Sequence, residues 1–181
     1  GKDEFRGGEG PLILERGPIQ NPLFSAFLKA TVEAGYPSTA DVNGFKQEGF
    51  AKFDRNILNG KRLSSARAYY HPIKDRTNLT LVTRALASKI IFEGNRAVGV
   101  NYFKGRSSQR AMSGEVILCG GAFNTPQLLQ MSGVGEAEHL KGLDIPVVAE
   151  NSAVGENMQD HLEVYVQHAC KKPITLNPEL K

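Results

Sequence analysis

Apolar positions fall into two regimes along the chain. Early on they recur at Leu23, Phe24, Phe27, Leu28 and Val32, the three-to-four spacing of one helical face. Asn21-Pro22 offers a capping side chain followed by a first-turn proline, and Gly35 offers a stop, so the pattern predicts a helix between them. From Leu79 onward the pattern turns to β. Alternating or β-branched runs at 79–83, 87–92, 97–103 and 111–119 are separated by Glu93-Gly94-Asn95 and Lys104-Gly105-Arg106-Ser107, both turn chemistries. Together they predict a small antiparallel meander.

Around these lie shorter elements. A glycine-rich opening, Arg6-Gly7-Gly8-Glu9-Gly10-Pro11, leads into Leu12-Ile13-Leu14, which reads as a brief strand. The stretch through Asp41, Asn43, Gly44, Gly49 and Gly60 is loop-rich. A short helix is expected from Ser64-Ser65, ending before His71-Pro72 because a residue preceding proline is pushed out of helical geometry. After the meander, Gly120-Gly121 precedes a helix beginning near Thr125-Pro126 and stopping at Ser132-Gly133-Val134-Gly135. A short helix over 138–141, the apolar Ile145-Pro146-Val147-Val148 and a last strand at 162–169 complete a mixed α+β or α/β chain.

Composition narrows the class. With 181 residues, 40% hydrophobic and 23% charged, the chain has the make-up of one globular domain or parts of two, which excludes disorder and fibrous repeats. The net charge of +3 is dispersed, and the basic pairs Lys61-Arg62 and Lys171-Lys172 lack the interleaved aromatics of a nucleic-acid face. Cys119 and Cys170 belong to no metal-ligand spacing and read as two reduced, buried thiols, so no metal is expected. The run Val116-Ile117-Leu118-Cys119 is far too short to span a bilayer, and Gly1-Lys2-Asp3-Glu4 makes no signal peptide.

Two places carry candidate chemistry. At Gly120-Gly121-Ala122 an apolar run opens into a helix through residues with almost no side chain, which lets a nucleotide approach the backbone; the same pattern fits a tight turn that holds nothing. On the last strand, alternation puts Leu162, Val164 and Val166 on one face and His161, Glu163, Tyr165 and Gln167 on the other. That polar face lines a cavity or faces water, and the pattern alone leaves both open. No dinucleotide fingerprint is present: Gly8-Glu9-Gly10 runs into Pro11, and Gly133-Val134-Gly135 has Glu138 where a third glycine would stand. His71, His139 and His168 read as structural or surface histidines.

The block from Gly120 to Gly135 resembles the second signature of the glucose-methanol-choline (GMC) oxidoreductase family, matching at Gly121, Ala122, Thr125, Pro126, Leu128, Leu129, Ser132, Gly133, Val134 and Gly135. Arg6-Gly7-Gly8-Glu9-Gly10-Pro11-Leu12, Asp41-x-Asn43-Gly44-x-x-Gln47-x-Gly49, Ala68-Tyr69-x-His71-Pro72 and Val154-Gly155-x-Asn157-Met158-Gln159-Asp160-His161 are similar to choline-oxidising members in the same order. The resemblance implies the central portion of a GMC fold. Residues 1–75 would belong to the antiparallel-sheet substrate domain, 76–150 to the Rossmann-like FAD-binding domain, and 151–181 to a return to the substrate domain.

For the site, the resemblance implies FAD as cofactor, its adenosine end against Ala87, Cys119, Gly120 and Gly121. Glu163 would bind a trimethylammonium group with His161 close by, and Tyr165 joins them from the alternation, without a motif of its own. The implied reaction is oxidation of choline to betaine aldehyde by hydride transfer to flavin, with an electron acceptor still to be named. The family's base histidine has no counterpart here, so the chain reads as an internal piece, expected neither to hold FAD tightly nor to turn over choline alone. Edge strands cut from their neighbours would make it poorly soluble. Two other readings stay open, a GMC enzyme for a sugar or aryl alcohol and a non-catalytic truncated binding module. The animal members imply a mitochondrial, inner-membrane-associated location; the oligomeric state is open.

Overall fold

The computed structural model describes residues 2–175, which fall into two compact units. The first runs to Leu79 and resumes at Tyr165; the second is Thr80–Val164.

In the first unit, charge pairing takes the place of an apolar strand. Strand β1 (Glu15–Arg16) follows the run Leu12-Ile13-Leu14, which forms no strand and stays partly exposed. The later β2 (Asp54–Arg55) pairs with it antiparallel, Glu15 opposite Arg55 and Arg16 opposite Asp54. Each cross-strand pair is an ion pair, Arg55 to Glu15 at 2.7 Å and Arg16 to Asp54 at 3.2 Å, so pairing begins where the charges can match. Arg6, with 16% of its side chain exposed, reaches the same cluster: it donates to Asp41 at 2.6 Å and to Asp54 at 2.9 Å, and pairs with Asp3.

Helix α1 (Pro22–Glu33) forms where expected. Asn21 Oδ1 accepts the Leu23 amide at 2.9 Å, Pro22 sits in the first turn, and Gly35 leaves the helix at φ +85°. Phe27 and Tyr36 both meet the ring of Phe50 edge-on, with centroids 5.6 and 5.8 Å apart. Strands β3 (Ile57–Leu58) and β4 (Lys61–Arg62) make a hairpin whose turn residues Asn59 and Gly60 both have positive φ. The helix expected to end before His71 instead changes period there. A π-turn over Ala66–Tyr70 gives way to a 3-10 turn over His71–Ile73, and His71 stays helical at φ −57°, ψ −37°. Pro72 has no N–H to continue the wider ladder, so the chain tightens rather than stopping.

The second unit is built on a three-stranded antiparallel sheet, β5 (Ala85–Glu93), β6 (Arg96–Lys104) and β7 (Ser107–Met112), turned at Gly94 and Gly105 with positive φ. No strand forms at 79–83, because Arg84 at φ +54° turns the chain just before the sheet. The expected strand at 111–119 ends at Met112; Val116 to Cys119 is without a ladder partner among the described residues. Helix α2 (Gly121–Met131) starts four residues before Thr125, with Pro126 inside its second turn. It is fastened to the sheet by Ser132, 1% exposed, whose hydroxyl accepts the Ile90 amide at 2.8 Å and donates to Leu128 at 2.6 Å. Strand β8 (Val134–Gly135), helix α3 (Ala137–Gly142) and strand β9 (Ala149–Glu150) follow, β8 and β9 pairing in parallel. The Glu136 carboxylate caps α3 through the His139 amide at 2.6 Å, and Leu140 is fully buried.

The predicted last strand at 162–169 is not formed. No helix or strand follows β9 among the described residues, and Leu162 and Val164 are 93% and 78% exposed. Alternation marks which side chains would share a face, but a strand also needs a neighbour to complete its ladder.

Candidate functional site

The second unit holds a cleft of about 480 Å³ between the start of α2 and the strands β5 and β6. Ala87, Cys119 and Gly120, three positions of the expected flavin site, line it together with Val116, Thr125 and Leu128. Gly121, the fourth, opens the helix beside them at φ +80°, a conformation that side chains resist. Ala87 sits where the β5–β6 register slips between Ala87 and Lys89. A bulge of this kind re-aims the local backbone, which is how a strand presents its edge to a ligand.

Thr125 has a part that sequence reasoning missed. Its hydroxyl accepts the Gly120 amide at 3.0 Å, tying the entry loop to the helix one turn on. Gly120 is held tightly by this arrangement, since a Cβ there would stand 3.1 Å from Asn124 and Thr125. The signal for it in the sequence is a hydroxyl residue five positions after a glycine, a pattern that also fits a helix start.

Cys119 is exposed on this cleft, not buried, and Cys170 is exposed as well. The cause is the same for the first thiol as for its segment: no strand covers 115–119 on that side among the described residues. Both are free thiols, and no group of three His, Cys, Asp or Glu among the described residues could hold a metal ion.

Among the described residues, no charged side chain lines the cleft. Its walls are small and branched aliphatic groups with amide and hydroxyl groups from Asn124, Thr125 and Gln127 at one edge. This lining fits the adenosine end of FAD, whose planar, uncharged adenine is recognised by apolar walls and a few placed hydrogen bonds. Among the described residues it offers no cation for the pyrophosphate.

The expected substrate residues are placed differently. His161 and Glu163 lie near the end of the second unit and Tyr165 begins the resumed part of the first. All three are exposed, and the shared strand face proposed for them is not built. The His161 amide is held by Asp160 at 2.8 Å. A further cleft, about 790 Å³, runs along another side of α2, bounded by Phe123, Pro126 and Gln130 and by the loop through Gly155, Asn157 and Met158.

The first unit has its own cleft of about 830 Å³ around Arg6, Arg16, Asp41 and Asp54. Its charges are already paired with one another. Hydrogen bonding from Arg6, then the Asn43 amide, holds the Asp41 carboxyl down at about 2, and Asp41 in turn raises the Arg6 guanidinium above its ordinary value. That cluster is a structural clasp. No helix among the described residues is long and apolar enough to cross a membrane.

Comparison with known proteins adds three findings. The sequence profile of the family described as GMC oxidoreductase matches residues 3–163. A protein named oxygen-dependent choline dehydrogenase from Staphylococcus haemolyticus (strain JCSC1435) is 55% identical over 178 residues, covering 98% of this chain and 31% of that one. The protein of the same name from Staphylococcus saprophyticus is 54% identical, covering 98% and 32%. Among solved structures, an FAD-dependent oxidoreductase from Chaetomium thermophilum superposes with a TM-score of 0.76 at 28% identity, over 82% of this chain and 26% of that one. Pyridoxine 4-oxidase from Mesorbium loti gives 0.73 at 26%, over 80% and 29%. The chain thus spans about a third of the length of the curated relatives it matches. Those relatives are bacterial, which overturns the mitochondrial location expected from animal members.

Proposed function

The chain belongs to the GMC oxidoreductase family, and on that premise we propose that it forms the central part of a longer flavin-dependent alcohol dehydrogenase that oxidises choline to betaine aldehyde. The observation that carries the flavin half is the uncharged cleft in which Ala87, Cys119 and Gly120 meet beside the start of α2. Backbone groups at Ala87 and the N–H of Gly121 would hold the adenosine end, while the Gly120 N–H, donated to Thr125, keeps the turn closed. FAD, when bound, supplies the acceptor for the hydride.

The choline half is supported by the staphylococcal relatives, both named oxygen-dependent choline dehydrogenase, and by the Asp160-His161-Leu162-Glu163 sequence. A quaternary ammonium has no N–H to donate. It is recognised by a carboxylate at short range and by aromatic faces, each desolvated contact worth about 1–2 kcal/mol. Glu163 supplies the carboxylate in this reading, His161 lies next to the reacting alcohol, and Tyr165 offers an aromatic face. A sugar or aryl alcohol presents no cation for a carboxylate to recognise.

The test uses the full-length enzyme containing this segment. Stoichiometric FAD after gel filtration, with choline oxidised far more efficiently than its uncharged isostere 3,3-dimethylbutan-1-ol, is the expected result. Absence of flavin, or equal efficiency on the two alcohols, overturns the reading.

A further inference from the structure

On the side of α2 that borders the larger cleft of the second unit, Gln130 donates from Nε2 to the carbonyl of Val154 at 3.0 Å. The backbone is pressed onto that amide. Gly155 follows at φ +91°, and a Cβ there would stand 2.9 Å from Gln130 Nε2, so the chain at this point lies directly against the glutamine. The approach to this point is fixed as well: Asn151 donates to Gly135 at 3.0 Å beyond the β8–β9 pairing, its side chain accepts the Ala153 amide at 3.0 Å, and Val154 and Glu156 close two consecutive turns. Asn157 then turns the chain again at φ +54°. The chain runs on from this turn into 158–163, where no helix or strand forms.

We propose that Gln130 is a positioning residue: through the Val154 carbonyl it sets the course of the segment that carries His161 and Glu163, and so the placement of the substrate's head group. This rests on the reading of those two residues as substrate-binding. Gln130 stands inside the signature-like block but between its matched positions Leu129 and Ser132, so the resemblance assigns it nothing. Its task needs a donor, because the partner is a carbonyl oxygen. A glutamate of the same shape can meet that need only when protonated. Among the described residues lining this cleft, Glu156 is the titratable one.

The experiment compares Gln130→Met, which lacks a donor, with Gln130→Glu in the full-length enzyme. For Gln130→Met we expect faster amide hydrogen exchange in 151–163 with none in 85–112, retained flavin content, and KM for choline raised about tenfold at nearly unchanged kcat, the scale of one lost hydrogen bond. Gln130→Glu should behave like Gln130→Met at pH 8 and recover towards the parent KM as the pH is lowered to about 6, where a carboxyl facing a carbonyl takes up its proton. Unchanged exchange in 151–163 overturns the tie itself, whatever the substrate. Faster exchange with an unmoved KM overturns the link to His161 and Glu163 and returns the failure to that reading. Should Gln130→Met not fold, the pH recovery of Gln130→Glu decides alone, its absence counting against the proposal.

Discussion

The hydroxyl of Ser132 accepts the amide of Ile90 at 2.8 Å, and both residues are buried, at 1% and 3% exposure. Ile90 lies where β5 faces α2, so one side chain supplies the polar half of the helix–sheet junction. Replacing Ser132 with alanine leaves a buried N–H with no partner, which should cost about 1–3 kcal/mol. Equilibrium denaturation of the full-length enzyme measures this, and a midpoint equal to that of the parent would show that water or another group takes the amide.

Gly121 and Thr125 act on the flavin cleft in different ways. Gly121→Ala places a side chain at φ +80°, so the entry turn has to distort. Thr125→Val keeps the shape but removes the acceptor for the Gly120 amide, a capping-type loss of about 1 kcal/mol. Both variants of the full-length enzyme should bind FAD more weakly, Thr125→Val by roughly fivefold if the whole loss falls on the bound form. Titration of the apoenzyme followed by flavin fluorescence reads the effect, and unchanged affinity in both would remove this turn from the cofactor site.

Where structure depends on near neighbours in sequence, the residues announced it. Asn21, Pro22 and Gly35 delimit α1 because caps and turns act within a few positions, and the glycines at 94 and 105 mark the meander for the same reason. Where structure depends on a partner elsewhere, the pattern misled. Leu12-Ile13-Leu14 and 162–169 have strand-like composition, yet among the described residues no segment completes their ladders. The Arg6 clasp joins residues 35 and 48 positions apart, and no local periodicity encodes such a pairing. Ala87, Cys119 and Gly120 were chosen through the family resemblance, and the fold brings them to one cleft; the roles of Thr125 and Gln130 depend on hydrogen bonds that only coordinates reveal.

That clasp has a pH signature. The Asp41 carboxyl is held at about 2 by Arg6 and the Asn43 amide, below the ordinary carboxylate value of about 3.9. A group lowered on folding contributes its full stability above the unfolded value and loses it as protons bind the folded form. The contribution of Asp41 should therefore be constant above about pH 5 and fade between about pH 4 and 2. Asp41→Asn should be less stable than the parent at neutral pH, with the gap closing across that acid window. Denaturation midpoints measured from pH 7 to pH 2.5 give the comparison, and a gap that does not narrow with acid would show that the charge on Asp41 contributes nothing.

Glu163 gives the sharpest test of substrate choice. A carboxylate beside a trimethylammonium group acts through charge, because the cation presents methyl groups and has no proton to share. Glutamine preserves the size of Glu163 while removing that charge, so Glu163→Gln in the full-length enzyme should raise KM for choline by roughly five- to thirtyfold, the range of one desolvated contact of about 1–2 kcal/mol. An uncharged alcohol of the same shape draws nothing from the carboxylate and should keep its KM. The two substrates then converge in kcat/KM, and the parent's preference for the cation is largely lost. If both Michaelis constants rise together, Glu163 supports the fold of its segment; if neither moves, the cation is held by other residues.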